Sequence, residues 1–132
     1  MRLGELCAGT AARIGDADGD PEIADLVFDS RLVGPGALFF CVVGMTSDGH
    51  EFAAGAVEAG AAALVVERPL GLGVPEVVVD DARAAMAPLA QRFFGDPTAT
   101  LAMAAVTGTN GKTTTAFLTR SILETAGRRR SA

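Results

Sequence analysis

The sequence predicts an α/β protein, and three observations carry that prediction. Short apolar runs of strand length alternate with segments of helical spacing, the order expected of a mainly parallel sheet covered by helices. Glycine or proline punctuates most junctions between them. One junction, at residues 107–114, places a glycine-rich loop between an apolar run and an amphipathic one.

The elements follow in order. Leu3, Leu6 and Cys7 are spaced for a short helix, and residues 15–21 form an acidic, glycine-containing loop. Residues 25–30 (DLVFDS) read as a strand, followed by Gly34-Pro35-Gly36, a turn with proline and glycine in favourable order. Residues 37–43 (ALFFCVV) are continuously apolar, which predicts a strand buried on both faces. After a loop at 44–49, Asp48 and Glu51 form an N-cap pair opening a helix to about Ala59, closed by Gly60. Residues 62–67 and 76–79 are two further strands. Ala82, Met86, Leu89 and Phe93 recur on one helical face, and Pro88 among them is expected to kink that helix or mark its start. Residues 101–106 (LAMAAV) read as a strand, and 113–126 as a helix with Leu118, Ile122 and Ala126 aligned. Phe39, Phe40, Phe93 and Phe94 are core candidates.

Composition narrows the class. With 132 residues, 49% of them hydrophobic, the chain has room for one domain and little more, and needs neither disulfides nor a structural metal to build a core. Its mean hydropathy of +0.34 does not indicate a membrane span. The longest apolar runs, at 37–43 and 61–66, fall well short of the ~18 residues that crossing requires. Glu5, Arg13 and interspersed glycines replace the apolar core of a secretory signal. Cys7 and Cys41 form no CxxC pair and fit a reducing, cytoplasmic setting. The formal charge is −5, basic clustering is confined to residues 128–130, and Trp and Tyr are absent, so nucleic-acid binding is set aside.

A break at Phe94-Gly95-Asp96-Pro97 divides the chain into a small mixed α/β unit, residues 1–95, and the start of a second unit, 96–132. The second carries Thr107-Gly108-Thr109-Asn110-Gly111-Lys112-Thr113-Thr114. Glycines let the backbone turn tightly against an anion, and the amides of the following helix point at it. Lys112 adds a charge for terminal phosphates, and the Thr113 hydroxyl is suited to a Mg²⁺ bridging them. Asn110-Gly111 also suits a hairpin turn, but a hairpin needs a second strand, and KTTTAFLTRSILETAG has helical spacing instead. The general phosphate-loop pattern wants glycine at position 106, where this chain has Val106.

Residues 106–115, VTGTNGKTTT, resemble the ATP loop of the Mur ligases, a family in which the loop begins at the later glycine. Residues 28–50, FDSRLVGPGALFFCVVGMTSDGH, resemble the N-terminal substrate domain shared by the third and fourth ligases of that family. The resemblance implies a substrate-binding domain at 1–95 and an incomplete, P-loop ATPase-like central domain at 96–132. It implies ATP-dependent amide-bond formation in peptidoglycan precursor synthesis. Within the family, TGTNGKTTT points to the branch that adds a diamino acid, meso-diaminopimelate or L-lysine, to UDP-N-acetylmuramoyl-L-alanyl-D-glutamate. The branch that adds D-alanyl-D-alanine usually shows a serine version of the loop.

By the same resemblance, Gly108, Thr109, Asn110, Gly111, Lys112, Thr113 and Thr114 would hold ATP. Lys112 would act on the transferred phosphoryl group and Thr113 would ligate Mg²⁺. Phe28, Ser30, Met45, Thr46 and Ser47 would grip the uridine nucleotide. The diamino-acid site lies outside the chain, and a monomer is expected. Asp29 and Arg31 read as structural partners, and His50, the single histidine, receives no role. After Gly127 the chain ends in RRRSA, so a truncated and catalytically silent piece is expected. Three alternatives stand beside this reading: the branch of the family that adds D-alanyl-D-alanine to the tripeptide nucleotide, a stand-alone uridine-nucleotide-binding module, and a P-loop protein that is not a ligase.

Overall fold

A computed structural model describes residues 1–10, 13–15, 19–100 and 104–127. The chain divides into two compact units, Met1–Ala99 and Thr100–Ala132. The first contains helix α1 (Leu3–Cys7), strands β1 (Arg13–Ile14), β2 (Asp25–Val27) and β3 (Ala37–Phe40), and helix α2 (Ala53–Glu58). Strands β4 (Ala61–Val66) and β5 (Glu76–Val78) and helix α3 (Ala82–Phe93) follow.

The strands form one sheet in the order β1-β5-β4-β3-β2. Strands β2 to β5 are mutually parallel, with Val27 opposite Phe39, Phe39 opposite Leu64 and Val65 opposite Val77. The short β1 closes the far edge antiparallel to β5. The continuous apolar runs are explained by helices on both faces, because alternate side chains point to opposite sides of a strand. Leu38, Phe40, Ala63, Val65 and Val77 face one way and pack with Leu3 and Leu6 of α1 and Leu89 of α3. Phe39, Cys41, Leu64 and Val66 face the other way, against Ala53 and Ala56 of α2. Burial of each large side chain contributes about 1.5–3 kcal/mol. Desolvation also pushes the thiol of Cys41 up to about 12, so it behaves as a small apolar residue.

Local chemistry sets the element ends. Strand β2 stops at Val27, short of the expected Ser30, because the Asp29 carboxylate accepts from the Arg31 N–H at 3.0 Å and winds Ser30–Leu32 into a 3₁₀ turn. The Gly34–Ala37 turn closes at 3.2 Å between the Ala37 N–H and the Gly34 carbonyl, with Gly36 at φ +81° as a type II turn requires. Strand β3 ends at Phe40 instead of Val43, as the Val42 N–H turns back to the Phe40 carbonyl at 3.0 Å. The helix expected after Asp48 opens as a 3₁₀ turn, Gly49–Phe52, and is α-helical only over Ala53–Glu58. Asp48 caps it through the His50 N–H at 2.9 Å, not through Glu51.

Helix α3 begins at Ala82, where Asp81 accepts from the Ala84 N–H at 2.9 Å, so Pro88 sits inside the helix and does not start it. Phe93 packs at the core margin, but Phe94 is 64% exposed, against the expectation of burial. One residue further on, Phe94 leaves the face that Leu89 and Phe93 bury, and its ring stands at 90° to that of Phe93 with centroids 5.1 Å apart.

In the second unit, helix α4 (Lys112–Thr125) follows the glycine-rich loop. It begins and ends within a residue of expectation, and Leu118, Ile122 and Ala126 are exposed. The strand expected at 101–106 lies outside the described residues at 101–103, and 104–106 belong to no strand. A strand needs a neighbour for its amides, and the described residues of this unit contain none. Residues 16–18 of the acidic loop and the basic run at 128–130 also lie outside the described residues. Among the described residues no helix is long and apolar enough to cross a membrane.

One buried carboxylate organises the β4–β5 connection. Glu76 accepts from the N–H groups of Leu70 (2.8 Å), Gly71 (2.7 Å) and Leu72 (3.3 Å) while only 6% exposed. Replacing it strands three partly buried donors. Glu76→Ala is expected to destabilise the fold by about 2–3 kcal/mol and Glu76→Gln, which keeps one acceptor oxygen, by about half that. Urea unfolding measures this as a lowered midpoint with an unchanged slope.

Candidate functional site at the carboxyl edge of the sheet

Because β2, β3 and β4 are adjacent and parallel, their carboxyl ends lie side by side at about 4.8 Å spacing. Open parallel sheets bind ligands at this edge. Phe28, Asp29 and Ser30 leave β2 there, the 44–49 loop follows β3, and Glu67 and Arg68 follow β4.

The β2 end is a polar corner. Phe28 is 65% exposed beside the half-buried Ser30. Arg31 holds Asp29 with Nε on Oδ1 at 2.9 Å and Nη2 on Oδ2 at 2.6 Å. That pairing, with the Arg31 backbone N–H, lowers the Asp29 carboxyl to about 2. Asp29 and Arg31 therefore satisfy each other and shape the turn that presents Ser30.

The loop after β3 is a tight reversal. The Gly44 N–H meets the Ser47 carbonyl at 2.8 Å, Val43 bridges to Asp48, and the Gly49 N–H reaches the Val42 carbonyl at 2.9 Å. A Cβ on Gly49 would stand 2.6 Å from the Val42 nitrogen, so only glycine fits. Met45, Thr46 and Ser47 are exposed at its tip. The structure thus brings Phe28, Ser30, Met45, Thr46 and Ser47 to one edge of one sheet.

Sequence reasoning missed His50. Its side chain is 1% exposed. Nδ1 lies 2.6 Å from Asp48 Oδ1, and Nε2 accepts the Glu67 N–H at 2.9 Å. An accepting Nε2 carries no proton, so Nδ1–H donates to Asp48. Arg68 Nη2 takes the other Asp48 oxygen at 2.7 Å, and these partners hold Asp48 well below the usual carboxylate range. The one sequence signal was the placement of the histidine two residues after a capping aspartate.

The second candidate site lies in the second unit, at the start of α4. Gly111 caps α4 in the left-handed region at φ +77°, which glycine adopts without strain, and no side chain caps the helix. The first helical bond runs from the Thr115 N–H to the Gly111 carbonyl at 2.9 Å, leaving the amides of Lys112, Thr113 and Thr114 without intrahelical partners. Lys112 folds back so that Nζ donates to the Gly108 carbonyl, closing the loop over itself. Gly108, Thr109, Asn110, Gly111, Lys112, Thr113 and Thr114 are all exposed. Among the described residues no cluster of His, Cys, Asp or Glu forms a protein-only metal site.

A sequence profile of the Mur ligase family, catalytic domain, matches residues 22–94, more than half of the chain and nearly all of the sheet. The chain belongs to the Mur ligase family. Its relatives within the Mur ligases include the UDP-N-acetylmuramoyl-L-alanyl-D-glutamate--2,6-diaminopimelate ligase of Geobacillus thermodenitrificans. That protein is 56% identical over 111 residues, covering 84% of this chain and 23% of the relative. The ligase of the same name from Syntrophomonas wolfei is 44% identical over 98% of this chain and 27% of its own. Among solved structures, MurF from Acinetobacter baumannii superposes with a TM-score of 0.73 at 33% identity, over 91% of this chain and 26% of that one. MurF ligase from Thermotoga maritima, in complex with ADP, gives a TM-score of 0.59 at 30% identity over 76% and 23%. The chain spans about a quarter of the length of the curated relatives it matches.

Asp29 gives a pH prediction. Its carboxyl is lowered in the fold, so the ion pair's contribution is present above about pH 4 and is lost as pH falls through about 2. Carboxyl NMR titration should give an Asp29 midpoint near 2, and Arg31→Met should raise it towards the ordinary value of 3.8.

Proposed function

We propose that this chain is the amino-terminal part of an ATP-dependent ligase that joins diaminopimelate to UDP-N-acetylmuramoyl-L-alanyl-D-glutamate. The observation that carries this reading is 56% identity to a ligase of that name, combined with a sheet edge that gathers both substrate motifs. The first unit binds the uridine nucleotide through Phe28, Ser30 and the loop at Met45, Thr46 and Ser47. Residues 96–132 begin the ATP-binding domain. The protein works in the cytoplasm as a monomer.

In the reaction, ATP transfers its terminal phosphoryl group to the D-glutamate carboxylate, and the diamino-acid amine then attacks the acyl carbon and displaces phosphate. The α4 amides and Gly108 to Thr114 bind and orient the phosphates, and Lys112 swings from the Gly108 carbonyl to neutralise charge on the transferred group. Mg²⁺ would be held from the protein side by Thr113, whose exposed hydroxyl offers one hard oxygen donor. The ion would supply charge neutralisation.

The solved MurF structures favour a second reading, addition of D-alanyl-D-alanine to the tripeptide nucleotide, because the fold is shared. The 33% identity to that MurF, against 56% to the diaminopimelate ligase, supports the first reading. In the parent protein, diaminopimelate should support ATP-dependent ligation to the dipeptide nucleotide, whereas turnover of only D-alanyl-D-alanine with the tripeptide nucleotide would select MurF chemistry. Lys112→Ala in that protein should lower the ligation rate by at least ~10³-fold. Calorimetry should show UDP affinity unchanged. Loss of UDP binding in that variant would contradict the division of labour.

A further inference from the structure

We infer that His50 is a positioning residue for the nucleotide loop, tying the 44–49 reversal to the carboxyl end of β4. This rests on reading that loop as part of the nucleotide site. The loop's own bonds are local: Gly44 to Ser47, Val43 to Asp48 and Gly49 to Val42. Such bonds fix its shape and join it only to the continuation of β3, not to a neighbouring strand. Among the described residues, two bonds run from its end to a distant part of the chain, and both reach the segment after β4. One is the Glu67 N–H to His50 Nε2 at 2.9 Å, the other Arg68 Nη2 to Asp48 Oδ2 at 2.7 Å.

The two ties differ in strength. Arg68 is 55% exposed, and an ion pair there is screened by water. The His50 ring is buried, and its bond to a backbone amide cannot be replaced by solvent without opening the edge. Glu67 is itself anchored, since its Oε1 accepts the Ala82 N–H at the start of α3 at 2.9 Å. The loop is therefore braced through His50 and Glu67 against the first turn of α3. His50 touches no substrate in this account and acts through the loop it orients.

Two substitutions separate the ties. His50→Asn keeps a donor near the Nδ1 position for Asp48 but falls short of Glu67. His50→Gln extends an acceptor to the Nε2 position and gives up the Asp48 bond. With UDP as the probe and the 132-residue chain as the protein, His50→Asn should weaken binding about tenfold, while His50→Gln stays within about threefold of the parent. Both variants should show similar melting temperatures. Equal affinity in all three proteins, or equal loss in both variants, overturns the proposal.

Amide exchange decides the point even if the parent does not bind UDP, a failure that would count against the nucleotide-site reading alone. His50→Asn should speed exchange at Gly44, Gly49 and Glu67 about tenfold while leaving Leu64 in β4 unchanged, and His50→Gln should restore protection. Uniform acceleration across the sheet would mean that His50 serves only global stability, and would overturn the proposal.

Discussion

The parallel pairing of β2, β3 and β4 is the constraint on which the rest of the molecule depends. Each strand is short, and alone none would hold its amides away from water. Side by side, with α1 and α3 on one face and α2 on the other, they bury Phe39, Phe40, Leu64 and Val65 almost completely. A slip of one residue would exchange the faces of Phe39 and Phe40, so the register is strongly set. That register also fixes the site. Parallel strands present every carboxyl end on the same edge, so residues distant in sequence converge without any bond having to link them directly.

Polar groups then refine what the apolar core sets coarsely. Among the described residues no buried side-chain polar atom lacks a partner. Two buried groups do most of this refinement. Glu76 gathers three successive amides of the β4–β5 connection, and His50 joins the loop after β3 to the end of β4. Each such bond contributes about 0.5–1.5 kcal/mol, so the three on Glu76 together are comparable with one buried aliphatic side chain. The edge is thus held by a few directional bonds, while the strands beneath are held by non-directional packing.

The parts legible in the sequence are those whose causes are local. Helix α3 has its apolar face, Ala82, Met86, Leu89 and Phe93, within a dozen residues, and that span is helical, although the sequence left open whether Pro88 marks its start. Strands β3 and β4 declare themselves as apolar runs, though β3 stops early because Val42 turns back on Phe40. The glycine loop and its helix are legible because Gly111 and the following amides act within one turn. His50 and Glu76 were not legible. His50 completes its role at Glu67, seventeen residues away, and Glu76 acts on backbone amides, which carry no residue signature. The expected strand before Lys112 illustrates the same limit. An apolar run becomes a strand only beside another strand, and the described residues of the second unit contain none.

The carboxyl edge, not a crevice elsewhere in the unit, is the site proposed to receive the uridine nucleotide. One competing location is a cavity of about 240 Å³ lined by Thr10, Val79, Asp80, Ala84, Pro88 and Leu89, to which none of the sequence-predicted site residues contributes. Isotope-filtered NOEs from the uracil and ribose protons of UDP-N-acetylmuramoyl-L-alanyl-D-glutamate to labelled protein distinguish them directly. Binding at the carboxyl edge predicts contacts to Phe28, Ser30 and the amides of residues 44–47. Contacts confined to Thr10, Ala84 and Pro88 would contradict it.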